Sequence, residues 1–150
     1  MRCISLIQPW AWLVTAGPKR IENREWPLPR GLIGQRVLIH ASKTDPFKYG
    51  DAADFAESAG IDVDIPQEAY EQRGGIVGSV RILGSIPAGV NEHVASVIAD
   101  DVARGLDLRW WMRDQHGFIL GDPKVLPFTP LRGQPGFFEV GALDFGGIEP

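Results

Sequence analysis

Apolar positions recur along this chain in two rhythms. Arg2 to Ile7 holds Cys3, Ile4, Leu6 and Ile7 in one short run, which predicts a buried strand. A 3.6-residue rhythm follows, with Trp10, Leu13, Val14 and Gly17 on one stripe. Pro9 suits the first turn of that helix, where a missing N–H does no harm, and Gly17-Pro18 predicts a left-handed stop followed by a residue that cannot continue. Ile21 to Glu25 reads as a short extended segment, and Trp26 to Gly31 as a proline-paced loop. Arg36 to Ser42 alternates cleanly, with Val37, Ile39 and Ala41 on one face and His40 and Ser42 on the other. Phe47 to Ser58 returns to helical spacing through Phe47, Ala52, Phe55 and Ala56, with Gly60 as the stop.

The second half repeats the pattern. Ile61 to Gln72 is acidic and irregular, with a turn of helix predicted after Pro66. Gly75 to Ile86 is a long strand in which Gly78 and Gly84 mark bends of the kind small barrels use at their corners. Asn91 to Arg104 predicts a helix, and Phe118–Leu120, Lys124–Leu126 and Phe137–Leu143 predict further strands, the first two separated by Gly121-Asp122-Pro123. Short strands, Gly/Pro turns and helices at the connections predict an α+β fold built on a closed or nearly closed mixed barrel.

Composition narrows the function classes. A chain of 150 residues that is 44% hydrophobic suits one packed domain over residues 1–150. It holds no run near the roughly 18 apolar residues of a membrane helix, and its start lacks the pattern of a secretory signal, so a cytoplasmic setting is expected. Cys3 is the only cysteine, and His40, His93 and His116 are widely spaced, so neither a disulfide nor a metal site is expected, and no cofactor is called for. A net charge of -4 excludes bulk coating of nucleic acid. The charge is unevenly spread, however: residues 1–50 carry eight Lys or Arg against three acidic residues, and residues 51–150 carry seven against sixteen. Such a split can draw a polyanion to one face, or it can be solvated surface charge with no partner.

The segment Gly17-Pro18-Lys19-Arg20-Ile21-Glu22-Asn23-Arg24 concentrates candidate chemistry. In an extended run Glu22 and Arg24 share a face, and Ile21 and Asn23 share the other, while Lys19 lies on the turn where parity leaves its direction open. One reading is a cavity in which Lys19 binds an anion or, desolvated, loses its proton and acts as a base, with Glu22 orienting it or trading protons. The other is a Glu22–Arg24 ion pair beside a solvated lysine. His40, Ser42 and Lys43 bring an imidazole, a hydroxyl and an ammonium together, which suits a phosphate or a nucleoside; a hydrogen-bonded core histidine is the alternative. Trp10, Trp12, Trp26, Trp110 and Trp111 either stack on bases, at about 1–3 kcal/mol each, or close the ends of a barrel.

Ser5-Leu6-Ile7-Gln8-Pro9-Trp10-Ala11, the Gly-x-Lys-x-x-Glu-x-Arg motif at 17–24, Leu38-Ile39-His40-Ala41-Ser42, Gly75-Ile76-Val77-Gly78 and Gly133-Gln134-Pro135-Gly136-Phe137-Phe138 together resemble the ASCH family. The resemblance implies a PUA-like β-barrel with a helix-lined cleft for RNA, nucleotides or modified nucleosides. Together with the residue chemistry above, the ligand-binding candidates are Gln8, Trp10, Lys19, Glu22, Arg24, His40, Ser42 and Lys43, with Lys19 and Glu22 catalytic if the protein is an enzyme. Small bacterial members that hydrolyse acetylcytidine pair the motif lysine with a threonine and a distant glutamate; Lys19 matches, but Glu22 stands where the threonine would be. Other members are described as ribonucleases. The resemblance therefore leaves three functions in view: an RNA-, nucleotide- or nucleoside-binding module, a hydrolase (ribonuclease or nucleoside amidohydrolase) using Lys19 as base or electrostatic catalyst, and a protein-interaction domain.

Overall fold

The computed structural model describes residues 1–150. Its elements run β1 (Arg2–Leu6), α1 (Trp10–Thr15), β2 (Ile21–Arg24), β3 (Arg36–Ala41), α2 (Ala52–Ser58), α3 (Glu68–Glu71), β4 (Gly75–Ile86), α4 (Glu92–Val102), β5 (His116–Pro130) and β6 (Phe137–Glu139). The six strands form one curled mixed sheet in the order β2-β5-β4-β3-β1-β6, an α+β half-barrel with four helices. β1 and β3 run parallel, and every other pairing is antiparallel. No helix is long and apolar enough to cross a membrane.

Strand alternation builds the core. Ile4 and Leu6, Val37 and Ile39, Val80 and Ile82, and Phe118 and Leu120 converge from four strands into one cluster with Ala11 and Val14 of α1. The opposite parity sends Cys3 and Leu38 to a second cluster with Leu126, Phe138 and Phe145, and Ile76 joins it because the register shift between Ile76 and Gly78 reverses the alternation of β4. A third cluster gathers the helices on Leu13, Ile21, Ile86, Ile119 and Trp110. The pairing of β4 shifts register at Ile76/Gly78 and at Ile82/Gly84, where the glycines of the sequence pattern lie. A Cβ on Gly78 would stand 2.4 Å from the Lys124 carbonyl oxygen, so the close approach of the two strands there needs glycine.

Several sequence expectations change. Gly17 does not adopt a left-handed conformation. A Cβ there would meet Leu13 backbone atoms at 2.9 Å, so its smallness allows the chain to fold back on α1. Phe47 lies outside α2, exposed in a turn, because Asp51 caps the helix by accepting the Ala53 N–H. The two strands expected at 118–120 and 124–126 are one continuous β5, which passes Gly121-Asp122-Pro123 by taking Asp122 into the positive-φ region at 45°. The last strand covers only Phe137–Glu139. Trp110 is a core residue stacked on Phe55 at 6.2 Å, and Trp111 packs against the same helical cluster.

Candidate functional site

The turn after α1 positions the lysine. The Arg20 guanidinium donates to the carbonyls of Val14, Gly17 and Lys19, which satisfies helix-end acceptors that would otherwise lack partners. The Lys19 N–H bonds back to the Leu13 carbonyl at 3.0 Å. So held, the Lys19 side chain turns inward and is only 2% exposed. Its ammonium donates to the Ile21 carbonyl and, at 3.2 Å, to Glu22 Oε1, and it lies 5.2 Å from the centre of the Trp10 ring. The second carboxylate oxygen of Glu22 accepts from Arg24 Nε at 3.0 Å, and Arg24 Nη2 donates to the Ser5 carbonyl at 2.7 Å. Asn23, on the opposite face of β2, donates to the Trp110 carbonyl and accepts the Met112 N–H, tying the strand to the wall beyond it.

Burial and charge act on these groups in opposite senses. Burial draws the Lys19 ammonium below the ordinary lysine range, against the pull of the Glu22 carboxylate. Burial raises Glu22, but Lys19 and Arg24 outweigh it and hold the carboxyl below its usual value. Geometrically the two are an ion pair at 3.2 Å, with little of either side chain reaching the surface.

Lys19, Glu22 and Arg24 line a cleft of about 510 Å³ with Trp10 and Trp26. Trp26 is fixed by edge-to-face contacts with Phe118 and Phe137, at 5.4 and 5.7 Å, and carries the Arg24 guanidinium 5.7 Å from its ring centre. His40, Ser42 and Lys43 line a different cleft, of about 780 Å³, in which Lys19 has no part. The expected gathering is thus divided: three charged side chains and Trp10 meet in one hollow, and the imidazole, hydroxyl and second ammonium meet in its neighbour. Ser5 borders both.

His40 is not paired with Ser42. Its Nε2 faces the Leu131 carbonyl at 2.6 Å, and a carbonyl can only accept, so that nitrogen carries the proton and Nδ1 accepts from the Ser5 hydroxyl at 2.7 Å. Burial lowers the imidazole's proton affinity, which keeps the ring neutral. Ser42 instead donates to the Thr44 hydroxyl at 2.8 Å and accepts the Thr44 N–H. Gln8 lines neither cleft: its carbonyl oxygen accepts the Trp12 N–H at the start of α1 and its amide donates to the Gln72 carbonyl. Ser5 escaped the sequence reading because its partnership depends on β1 lying parallel to β3, with Ser5 opposite His40. Cys3 supplies no nucleophile, since burial pushes its thiol up to about 12. No group of three or more His, Cys, Asp or Glu side chains is placed to hold a metal ion.

The ASCH domain family model matches residues 4–103, two thirds of the chain, spanning β1 to α4 and so the whole of the motif around Lys19. The chain belongs to the ASCH family. The solved structure of ASCH from Zymomonas mobilis shares 16% identity with this ASCH chain at a TM-score of 0.52, covering 93% of this chain and 87% of that one. A point variant of the Zymomonas protein matches at 12% identity with the same TM-score and coverage, and another at 15% identity and a TM-score of 0.51 over 93% and 89%. At these identities the likeness speaks for the ASCH fold. No curated protein matches the chain.

Proposed function

We propose that this ASCH domain binds RNA, a nucleotide or a modified nucleoside, and that the Lys19–Glu22–Arg24 cleft receives the base. The observation that carries this reading is the set of hydrogen-bonding valences left over at the cleft floor. Lys19 commits two of its three ammonium protons. Arg24 commits Nε and one Nη2 proton, leaving Nη1 free. Each Glu22 oxygen accepts one bond and keeps a lone pair. The floor thus offers donors on both sides of an acceptor. That combination reads the edge of a heterocycle on which carbonyl and N–H groups alternate. Two cations face Glu22 and Glu25 in the lining, so the cleft carries no net charge and favours a neutral polar ring over an anion. The walls suit the same ligand, since indole faces and a guanidinium plane pack on aromatic bases.

Calorimetry with the four ribonucleosides and a mixed-sequence single-stranded RNA octamer tests the proposal. Arg24→Met removes the free guanidinium donors and is expected to weaken binding about tenfold; unchanged affinity overturns the assignment.

A hydrolytic reading has one observation in its favour, the desolvation that lowers the proton affinity of Lys19. The ionised carboxylate 3.2 Å away works against it by favouring the charged ammonium, which fits an electrostatic role better than that of a base. Incubating the protein and its Lys19→Met variant with RNA and with acylated nucleosides decides the matter: turnover abolished in the variant supports the hydrolase, and no turnover in either, or turnover unchanged in the variant, overturns it.

A further inference from the structure

The neighbouring cleft has the opposite chemistry. Among its lining residues are two cations, Lys43 and Arg132, and no carboxylate. Neither cation forms an ion pair or a side-chain hydrogen bond with the protein. Lys43 is nonetheless not a loose surface lysine. A Cβ on Gly74, whose φ is +86°, would stand 2.7 Å from Lys43 Cε and 3.0 Å from its Cγ, so the aliphatic stem lies flat across bare backbone and aims the ammonium. The 131–134 loop is fixed just as closely. The Leu131 carbonyl takes the His40 proton, and a Cβ on Gly133 would fall 2.6 Å from Ser5 Oγ.

Donors dominate what remains free. Thr44 accepts the Ser42 proton and keeps its own. The backbone N–H groups of Lys43, Arg132 and Gly133 donate to no protein acceptor. The floor is neutral, because His40 is buried and both its ring nitrogens are occupied. Two positive charges, a free hydroxyl proton and unpaired amides without a competing carboxylate are what phosphate oxygens require.

We propose that the cleft walled by Lys43, Thr44 and Arg132 seats a phosphate group, and that this phosphate belongs to the nucleotide whose base occupies the Lys19–Glu22–Arg24 cleft. The inference rests on that base assignment for its second half only. Ser5 joins the two sites: its carbonyl accepts from Arg24 on one side and its hydroxyl donates to His40 on the other. A base and its phosphate on either side of residue 5 form one continuous ligand, either a free nucleoside monophosphate or one unit of a single-stranded RNA.

Titration calorimetry at low salt with inorganic phosphate, the four ribonucleosides, their 5′-monophosphates and an RNA octamer tests both halves. The expected result is that a monophosphate binds at least about tenfold tighter than its nucleoside. Lys43→Gln with Arg132→Gln should erase that gap, abolish phosphate binding and leave nucleoside affinity unchanged; both positions are exposed, so the fold is not at stake. An octamer that outbinds the monophosphates points to a phosphodiester, and equal affinity points to a free nucleotide. Nucleosides that bind while their monophosphates bind no tighter overturn the phosphate seat and spare the base site. Monophosphates and phosphate that bind through Lys43 and Arg132 while nucleosides fail to bind overturn the base site and keep the seat.

Discussion

Replacing Glu22 by glutamine probes the electrostatics of the cleft without changing its shape. The carboxylate lies 3.2 Å from the Lys19 ammonium, in a pair 2% and 12% exposed. At an effective dielectric constant of about 20, the attraction at that distance is about 5 kcal/mol. Glutamine keeps an oxygen that can accept from Lys19 but leaves the ammonium buried without a counter-charge. Breaking a buried pair in this way costs about 3–5 kcal/mol. The expected loss is toward the lower end, about 3 kcal/mol, because Lys19 retains the Ile21 carbonyl. In a chain of this size that lowers the melting temperature by roughly 6–12 °C.

Lys19→Met should be milder, since Glu22 keeps Arg24 Nε at 3.0 Å and methionine fills the space beside Trp10. The pH dependence adds a second readout. The folded-state affinity of Lys19 for its proton lies below the ordinary value of 10.5, so between the two the unfolded chain binds more protons and stability rises with pH. Without Glu22 that difference widens, and the deficit of the variant relative to the wild type should narrow from pH 7 to pH 9.5. Urea denaturation at both pH values measures it. A loss below 1 kcal/mol for Glu22→Gln, or a Lys19→Met variant less stable than Glu22→Gln, refutes the buried ion pair as described.

Two further outcomes follow from neighbouring contacts. His40 is held neutral: above pH 6.5 folded and unfolded chains carry the same uncharged ring, and as the pH falls below 6.5 the unfolded chain takes up a proton that the folded one resists. Stability should therefore decline from pH 6.5 toward 5, ahead of the loss tied to Glu22 below about 4.5, and His40→Gln should flatten the first step in denaturation curves taken across that range. Asn23→Ala strands the Trp110 carbonyl and the Met112 N–H, which should cost about 2 kcal/mol and raise hydrogen exchange at residue 112.

Much of the fold could be read in the chain because β1 and β3 are short, nearly continuous apolar runs buried on both faces, and Leu13 and Val14 of α1 recur at helical spacing. Parity alone placed His40 opposite Val37 and Ile39, and Glu22 beside Arg24. Long-range pairing was not legible. Which strand lies beside β3 decides that His40 meets Ser5 rather than Ser42, and that choice is made by the whole sheet. The same limit hid Arg132, which reaches the second cleft only because the chain after β5 crosses to His40. Lys19 fell on a turn, where its direction depends on Arg20 capping α1, a contact that no spacing encodes. Asp122 shows the converse: a turn signature that reads as a break is absorbed as a bulge when strands on both sides find partners.

The base site itself is tested most directly by a nitrogen-edited NMR titration of the protein with a single-stranded RNA octamer. The indole N–H signals of Trp10 and Trp26 and the Nε–H of Arg24 should move together and saturate, while the indole of core residue Trp110 stays in place. Saturable shifts confined to residues away from Trp10, Arg24 and Trp26, or none at all, contradict a base in that cleft.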